Sequence, residues 1–277
     1  MTPEGWQMVC ADAALSVSAR IGWKGLKKAD FTTEGPYLIT GMHFRGNGTI
    51  DWDACFRIPA WRYDESPEVM VRRGDVLLTK DGTIGKVAIV RELPGPAALN
   101  SHLYLIRPAD DRLVPAFLYH VLQSERFRSF ANLNATGSTI NGLPWKTFRC
   151  FGIPVPPIGE QRKIAAVLSS VDEAIDKTQA VIDQLGVVKK AMMQELLTKG
   201  LPGRHTRFKQ TEIGMVPEEW EVRSIESLLE SCTYGVNCPL SADPLSGTPV
   251  LRMSNLQNDR LDLSDLKYAD LAALPHD

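Results

Sequence analysis

The chain has 277 residues, 44% hydrophobic and 23% charged, with a formal net charge of −2; these are the proportions of a globular protein with one or two cored domains. No charged segment followed by an apolar run opens it, and no apolar stretch approaches the ~20 residues that span a bilayer; the expectation is a cytoplasmic protein without a membrane partner. Cys10, Cys55, Cys150, Cys232 and Cys238 include no C-x-x-C pair, which argues against a disulfide framework or a zinc site and predicts buried free thiols.

In chain order, Glu4-Gly-Trp6-Gln-Met-Val9 leads to Leu15, and Trp23, Lys24, Lys27 and Lys28 form a basic, aromatic stretch in a loop. Pro36-Tyr-Leu38 opens a strand-like run that ends at Gly48-Thr-Ile50-Asp51. Gly74-Asp-Val76-Leu-Leu-Thr79 and Val87-Ala-Ile89-Val90 read as two strands, with Lys80-Asp81-Gly82 as the turn of a hairpin. His102-Leu-Tyr104-Leu-Ile106 is a further strand. Residues 115–130 carry Phe117, Leu118, Val121, Leu122 and Phe127 at helical spacing. Thr136-Gly-Ser138-Thr139-Ile-Asn141-Gly142 is a polar loop, and Pro154-Val-Pro-Pro157 cannot be helix interior. Many short strands with few helices predict an α+β domain over residues 1–157.

A long helix follows, from about Gly159 to Lys199. Its apolar residues recur in heptads: one seam is Ile164, Val171, Thr178, Leu185 and Met192, and its companion is Leu168, Ile175, Ile182 and Leu196, with Lys189 interrupting. This is a coiled-coil pattern of about four heptads, spanning roughly 60 Å. Gly200 and then Pro202 supply the stop.

Beyond a linker over 201–219, the chain starts again. Glu219-Trp220-Glu-Val222 leading to Leu229 repeats the opening, with Trp6 and Trp220 separated by 214 positions. Pro249-Val-Leu251 matches Pro36-Tyr-Leu38 at an offset of 213, and its run ends at Asp259-Arg-Leu261-Asp262. A full second copy needs roughly 150 more residues, so 220–277 reads as a fragment of a repeated domain. Residues 1–157 carry a net +3, 158–219 are neutral and 220–277 carry −5. A nucleic-acid partner would therefore meet a local basic face.

Four segments together resemble the specificity (S) subunits of type I restriction–modification enzymes. They are Arg73-Gly-Asp75-Val-Leu-Leu-Thr79-Lys80-Asp81-Gly82-Thr83-Ile-Gly85-Lys86; Leu99-Asn100-Ser-His102-Leu; Thr136 to Asn141 running on to Pro156-Pro157-Ile-Gly-Glu160-Gln161-Arg-Lys-Ile164; and Ile213-Gly-Met-Val-Pro217-Glu-Glu-Trp220. The resemblance implies a target-recognition domain with a curved mixed sheet and helices, then a spacer helix, then a partial second recognition domain. It further implies that each recognition domain reads half of a bipartite double-stranded DNA target. Spacer helices would set the gap and dock methylation (M) subunits, and a restriction (R) subunit would join for cleavage. The S subunit itself would do no chemistry and hold no cofactor or metal.

Sequence is read by donors and acceptors at base edges, while phosphate contacts give affinity. Candidates for DNA contact are Lys24; Arg73; Lys80, Thr83 and Lys86 of the hairpin turn; Ser138, Thr139 and Asn141 of the polar loop; and Lys146 and Arg149 just beyond it. The helix seam, lacking an obvious partner helix, predicts pairing with a second copy of the chain, antiparallel and two-fold symmetric. The rivals are a metal-dependent nuclease built on Asp75, Asp81, Lys80 and Lys86 or on Asp51 and Asp53, a methyltransferase, and a coiled-coil scaffold. No Asn/Asp-Pro-Pro-Tyr/Phe motif, glycine-rich cofactor turn or P-loop is present, which argues against the methyltransferase and against ATP-driven translocation.

Overall fold

The computed structural model describes residues 3–19, 30–137, 141–232, 234–235, 238–257 and 260–270. Contacts divide the chain into two units, 1–191 and 192–277.

The first unit runs β1 (Gln7–Cys10), α1 (Ala11–Ala14), β2 (Leu15–Ser18), β3 (Thr32–Ile39), β4 (Phe56–Arg57), α2 (Ala60–Asp64), β5 (Val76–Thr79), β6 (Val87–Ile89), β7 (Ala97–Leu99) and β8 (Leu103–Pro108). It continues through α3 (Pro115–Gln123), α4 (Glu125–Leu133), α5 (Trp145–Phe148) and β9 (Gly152–Val155) into α6 (Ile158–Lys199). An antiparallel four-stranded sheet has the order β2-β8-β5-β6. In the second sheet, β4-β3-β7, β3 runs antiparallel to β4 and parallel to β7. Pairing is therefore mixed, as expected.

β5, β6 and the first four residues of β8 are buried on both faces, which explains their near-continuous apolar runs, whereas the edge strand β2 is only partly covered. Their alternation assigns each side chain to a core. Val76, Leu78, Val87, Ile89, Tyr104 and Ile106 face a core shared with Phe117, Leu118, Leu122, Phe127 and Phe148. Leu77, Ala88, Val90, Leu103 and Leu105 face a second core with Ile39, Val69, Ala97 and Leu99. The sheet is thus sandwiched between helices and a second sheet. The helix expected over 115–130 is broken into two. Ser124 takes an extended conformation, accepts the Phe127 amide and donates its hydroxyl to the Val121 carbonyl, so it caps α4 while it ends α3.

α6 is one helix of 42 residues, about 63 Å long. Its stop is as expected: Gly200 is left-handed at φ 73° and its amide donates to the Leu196 carbonyl.

In the second unit, residues 201–219 are not a bare linker. β10 (Phe208–Thr211) and β11 (Gly214–Pro217) form a hairpin. β12 (Thr248–Val250) pairs with β15 (Lys267–Ala269), and β13 (Leu256–Gln257) with β14 (Arg260–Leu261). Little of this unit is buried: Leu245, Met253 and Leu256 stand at the surface, while Val216, Asn255 and Ala269 are covered.

The internal repeat is present in the backbone. Gly35 and Gly247 both have positive φ, 113° and 134°, and each lies so close to a carbonyl, of Ile58 and Ala269, that no Cβ fits. Thr40 and Arg252 each begin a 3-10 turn, and each backbone amide is capped from three residues on, by His43 Nδ1 at 3.1 Å and Asn255 Oδ1 at 2.9 Å. The carbonyls of His43 and Asn255 then accept the amides of Asp51 and Asp262. Gly35, Thr40 and His43 match Gly247, Arg252 and Asn255 at a common offset of 212, so aligning Pro36 with Pro249 is one residue out of register.

Candidate functional site

The link from β5 to β6 occupies residues 80–86, longer than a tight hairpin turn. Thr79 organises it: its hydroxyl donates to the Thr83 carbonyl and accepts the Lys86 amide at 2.9 Å. Gly82 and Gly85 adopt φ of 74° and 85°, a region that non-glycine residues enter only at a cost.

This link is stitched to the polar loop some sixty residues later. The Leu143 amide donates to the Lys80 carbonyl at 2.7 Å, and the Gly82 amide to the Asn141 carbonyl at 2.9 Å. Thr136 and Gly142 exchange both backbone hydrogen bonds and so close the loop between them. A Cβ on Gly142 would lie 2.9 Å from Asp81 Oδ1. The buried Tyr104 hydroxyl donates to the Leu143 carbonyl and anchors the pair to β8. Burial, with Asp81 nearby, pushes that phenol up to about 12, so it remains a donor at any working pH.

The structure therefore brings Lys80, Thr83, Lys86 and Asn141 together. Thr83, Lys86 and Asn141 are exposed, and Lys86 has no ion-pair partner among the described residues. Lys80 is half-buried and committed: its Nζ lies 2.6 Å from Asp81 Oδ2, which His102 Nδ1 also approaches at 3.2 Å. Asp81 thus serves as a local anchor for a cation and an imidazole, and His102 is hydrogen-bonded as expected.

The other candidates are spread out. Arg73 lies at the far end of the β5–β6 hairpin, roughly 20 Å of strand away, with its Nε donating to the Arg91 carbonyl. Lys146 is exposed on α5. Arg149 is turned back to α1, where it pairs with Asp12 at 2.9 Å. Lys24, Ser138 and Thr139 lie outside the described residues, as do Trp23, Lys27 and Lys28.

Of the nuclease rival's carboxylates, Asp51, Asp75 and Asp81 are engaged elsewhere and Asp53 is exposed. Asp75 is buried and accepts two hydrogen bonds from Arg107, at 2.6 and 2.8 Å, and the Arg72 amide at 2.7 Å. Asp51 pairs with Arg45, whose hydrogen bond holds its carboxyl below the usual range. The described residues contain no group of three His, Cys, Asp or Glu able to hold a metal, and none of their helices is long and apolar enough to cross a membrane. The thiols differ from expectation: Cys55 is buried, whereas Cys10, at the end of β1, and Cys150 and Cys232, outside any helix or strand, are exposed.

On α6 the seam has two kinds of residue. Ile164 packs against the first unit's core beside Ala165, so it serves its own domain. Gln161 is fully buried and locks the first turn to Val114, Arg112 and Pro156. Further on, Ser169 meets His120 and Asp172 meets Arg91. From there the seam is open: Leu168 is 40% exposed, Val171 50%, Ile175 59%, Ile182 55%, Leu185 60% and Met192 53%. Leu196 is half-covered. Val167, Val181 and Val188 widen the same apolar face and are also exposed.

Two features escaped the sequence reading. Gln161 stood in a recognised motif, but its buried role was not legible. Met42 was missed altogether: it is 75% exposed at the centre of the Gly41–His43 turn, and with Thr83, Lys86 and Asn100 it lines a cavity of about 390 Å3.

The family described as type I restriction modification DNA specificity domain matches residues 19–186. A putative type I restriction enzyme MjaX specificity subunit from Methanocaldococcus jannaschii is 36% identical over 193 residues, 67% of this chain and 44% of that protein. The type I restriction enzyme EcoBI specificity subunit of Escherichia coli is 22% identical over 277 residues, 95% of this chain and 55% of that protein. The crystal structure of a type I restriction–modification system S subunit from M. genitalium superposes with a TM-score of 0.51 at 17% identity, covering 69% of this chain and 45% of that one. The chain spans about half the length of the curated relatives it matches.

Proposed function

Because the chain belongs to the type I restriction–modification DNA specificity family, we propose that it is a sequence-reading subunit that directs methylation and restriction subunits to a bipartite double-stranded DNA target and performs no chemistry itself. The observation that carries the reading is the stitched loop pair, which holds Thr83, Lys86 and Asn141 exposed on one rigid frame. A free ammonium beside hydroxyl and amide groups is the chemistry that meets phosphates and base edges. Lys86, Thr83, Asn141 and the adjoining Lys146 are assigned to DNA contact; half-buried Lys80 supports them through Asp81, and Arg149 is held by Asp12 on α1.

Residues 220–277 are assigned to the opening of a second recognition domain, on the strength of the repeated turn. The open stretch of α6, from Leu168 to Met192, is assigned to helix pairing. Its partner in this reading is the helix of a second copy, antiparallel, so that two recognition domains are related by two-fold symmetry. The widened side, with Val167, Val181 and Val188, is left for a methylation subunit.

Methylated-base sequencing of DNA from cells that carry this chain with its cognate methylation subunit, and no other specificity chain, tests the reading. An interrupted motif is expected, palindromic if two copies pair. The absence of any modified motif would overturn DNA reading and leave the helix as a scaffold. Sedimentation at micromolar concentration tests pairing separately, and a monomer would refute it.

A further inference from the structure

The turn at Gly41–His43 has no packing reason to display a methionine. Its backbone is fixed from below. His43 is 2% exposed and caps the Thr40 amide, and its ring meets Phe56 edge-on at 5.1 Å. Gly41 sits so close to Thr79 that a Cβ would lie 2.6 Å from its methyl. Between these two anchored residues, Met42 projects 75% of its surface into solvent. It does so at the mouth of the cavity that Thr83 and Lys86 also line, so an apolar side chain stands next to the cation assigned to phosphate.

The second unit holds the same turn with a different display. Asn255 replaces His43 as the buried cap, and the residue before it, matching Met42, is the exposed Ser254. The buried position keeps its chemistry, a side-chain acceptor for the capped amide. The position before the cap changes from a thioether to a hydroxyl, and the second turn's exposed thioether, Met253, stands one residue earlier, where the first turn has Gly41. Constant scaffold with a variable exposed side chain is what two domains reading different bases require.

We infer that Met42 is a specificity-determining side chain that packs on the C5 methyl group of a thymine in the target. The major groove offers one apolar group, that methyl, and a flexible thioether is suited to cover it. The inference rests on the assignment of the loop pair to DNA, and it adds a third segment, the turn that follows β3, to that face.

The test uses the chain in complex with its cognate methylation subunit, on duplexes carrying the motif found by methylated-base sequencing. Each thymine of the motif is replaced in turn by uracil, which removes only the methyl. At one position uracil weakens binding by the unaltered chain roughly four-fold, the worth of one buried methyl, and has no effect on Met42→Ala. Met42→Leu retains most of the discrimination. Because Met42 is exposed, both variants keep the parent's melting temperature. Lys86→Ala serves as the separate control, weakening binding to every duplex alike. If Lys86→Ala weakens binding but no uracil effect depends on Met42, the inference fails and the loop assignment stands. If Lys86→Ala changes nothing, or the complex does not bind the motif, the loop assignment fails and the inference falls with it.

Discussion

The side-chain carbonyl of Gln161, in the first turn of α6, accepts the backbone amide of Val114 at 2.8 Å. Its amide nitrogen donates to the carbonyls of Arg112 and Pro156, at 2.7 and 2.8 Å. One fully buried side chain thus satisfies three backbone groups at the point where the long helix leaves its domain. Gln161→Ala removes the partner of all three, with the Pro156 carbonyl left in a buried setting, and is expected to cost about 2 kcal/mol. Urea denaturation reads the loss; a cost under about 0.5 kcal/mol would show that the junction is held by apolar packing alone.

Asp75 is another buried polar anchor of the first unit. It holds Arg107 through both oxygens and the Arg72 amide as well. Asp75 is buried while Arg107 keeps about a third of its side chain in water, so Asp75→Ala, which also leaves the Arg72 amide without its partner, is expected to destabilise by roughly 2 kcal/mol. A nuclease reading predicts instead an unchanged melting temperature with altered DNA cleavage, and a thermal melt separates the two.

The open seam of α6 predicts that self-association depends on its middle. Ile182→Asp with Leu185→Asp puts two charges on a face that pairing would desolvate, while both positions are exposed in the single chain. Sedimentation equilibrium is expected to show the parent as a dimer and the double variant as a monomer with unchanged thermal stability. A double variant that still dimerises would place the pairing surface elsewhere.

Two imidazoles set an acid limit on stability. Burial lowers the proton affinity of His43, against an opposing pull from Asp51, and burial likewise lowers that of His120, against Asp172. In the unfolded chain both titrate near 6.5. Below that pH the unfolded state binds protons that the folded state does not, so stability is complete above about 6.5 and declines as the medium is acidified toward the folded values. The urea midpoint is expected to fall between pH 7.5 and pH 5.5. His43→Asn, which installs the cap that the second turn uses, is expected to reduce the fall; an unchanged dependence would exonerate His43.

Thiol labelling reads the cysteine environments. Burial raises the Cys55 thiol to about 12, and the side chain is covered. Cys10, Cys150 and Cys232 are expected to react with a maleimide at pH 7.5 in the native state, and Cys55 only after denaturation. Peptide mapping of the labelled chain checks this, and native labelling at Cys55 would mean that the second core opens.

The strands and the long helix were legible in the sequence because their signals are local. Val76 to Thr79 and Leu103 to Ile106 form apolar runs that only a doubly covered strand needs, and the heptads from Leu168 to Met192 specify their own period. The break at Ser124 was missed because Phe117 to Phe127 keep helical spacing through a residue that caps one helix and ends the other. Lys80 and Arg149 looked like free cations, since sequence order shows neither that Lys80 turns back to the adjacent Asp81, which His102 shares from just before β8, nor that α1 brings Asp12 to Arg149.

By itself, the sequence determined the family, the mixed α+β core, the reach of α6 and the existence of a repeat, all carried by periodicity and by motifs contiguous in the chain. Tertiary structure decided which side chains were left over for function. The register of the repeated turn rests on its local cap, and the display of Met42 on that cap and on the close packing of Gly41 against Thr79, whereas the stitching of 80–86 to 136–143 and the burial of Gln161 depend on hydrogen bonds between residues far apart in sequence. Such bonds fix which polar groups are consumed internally and which remain to meet a ligand.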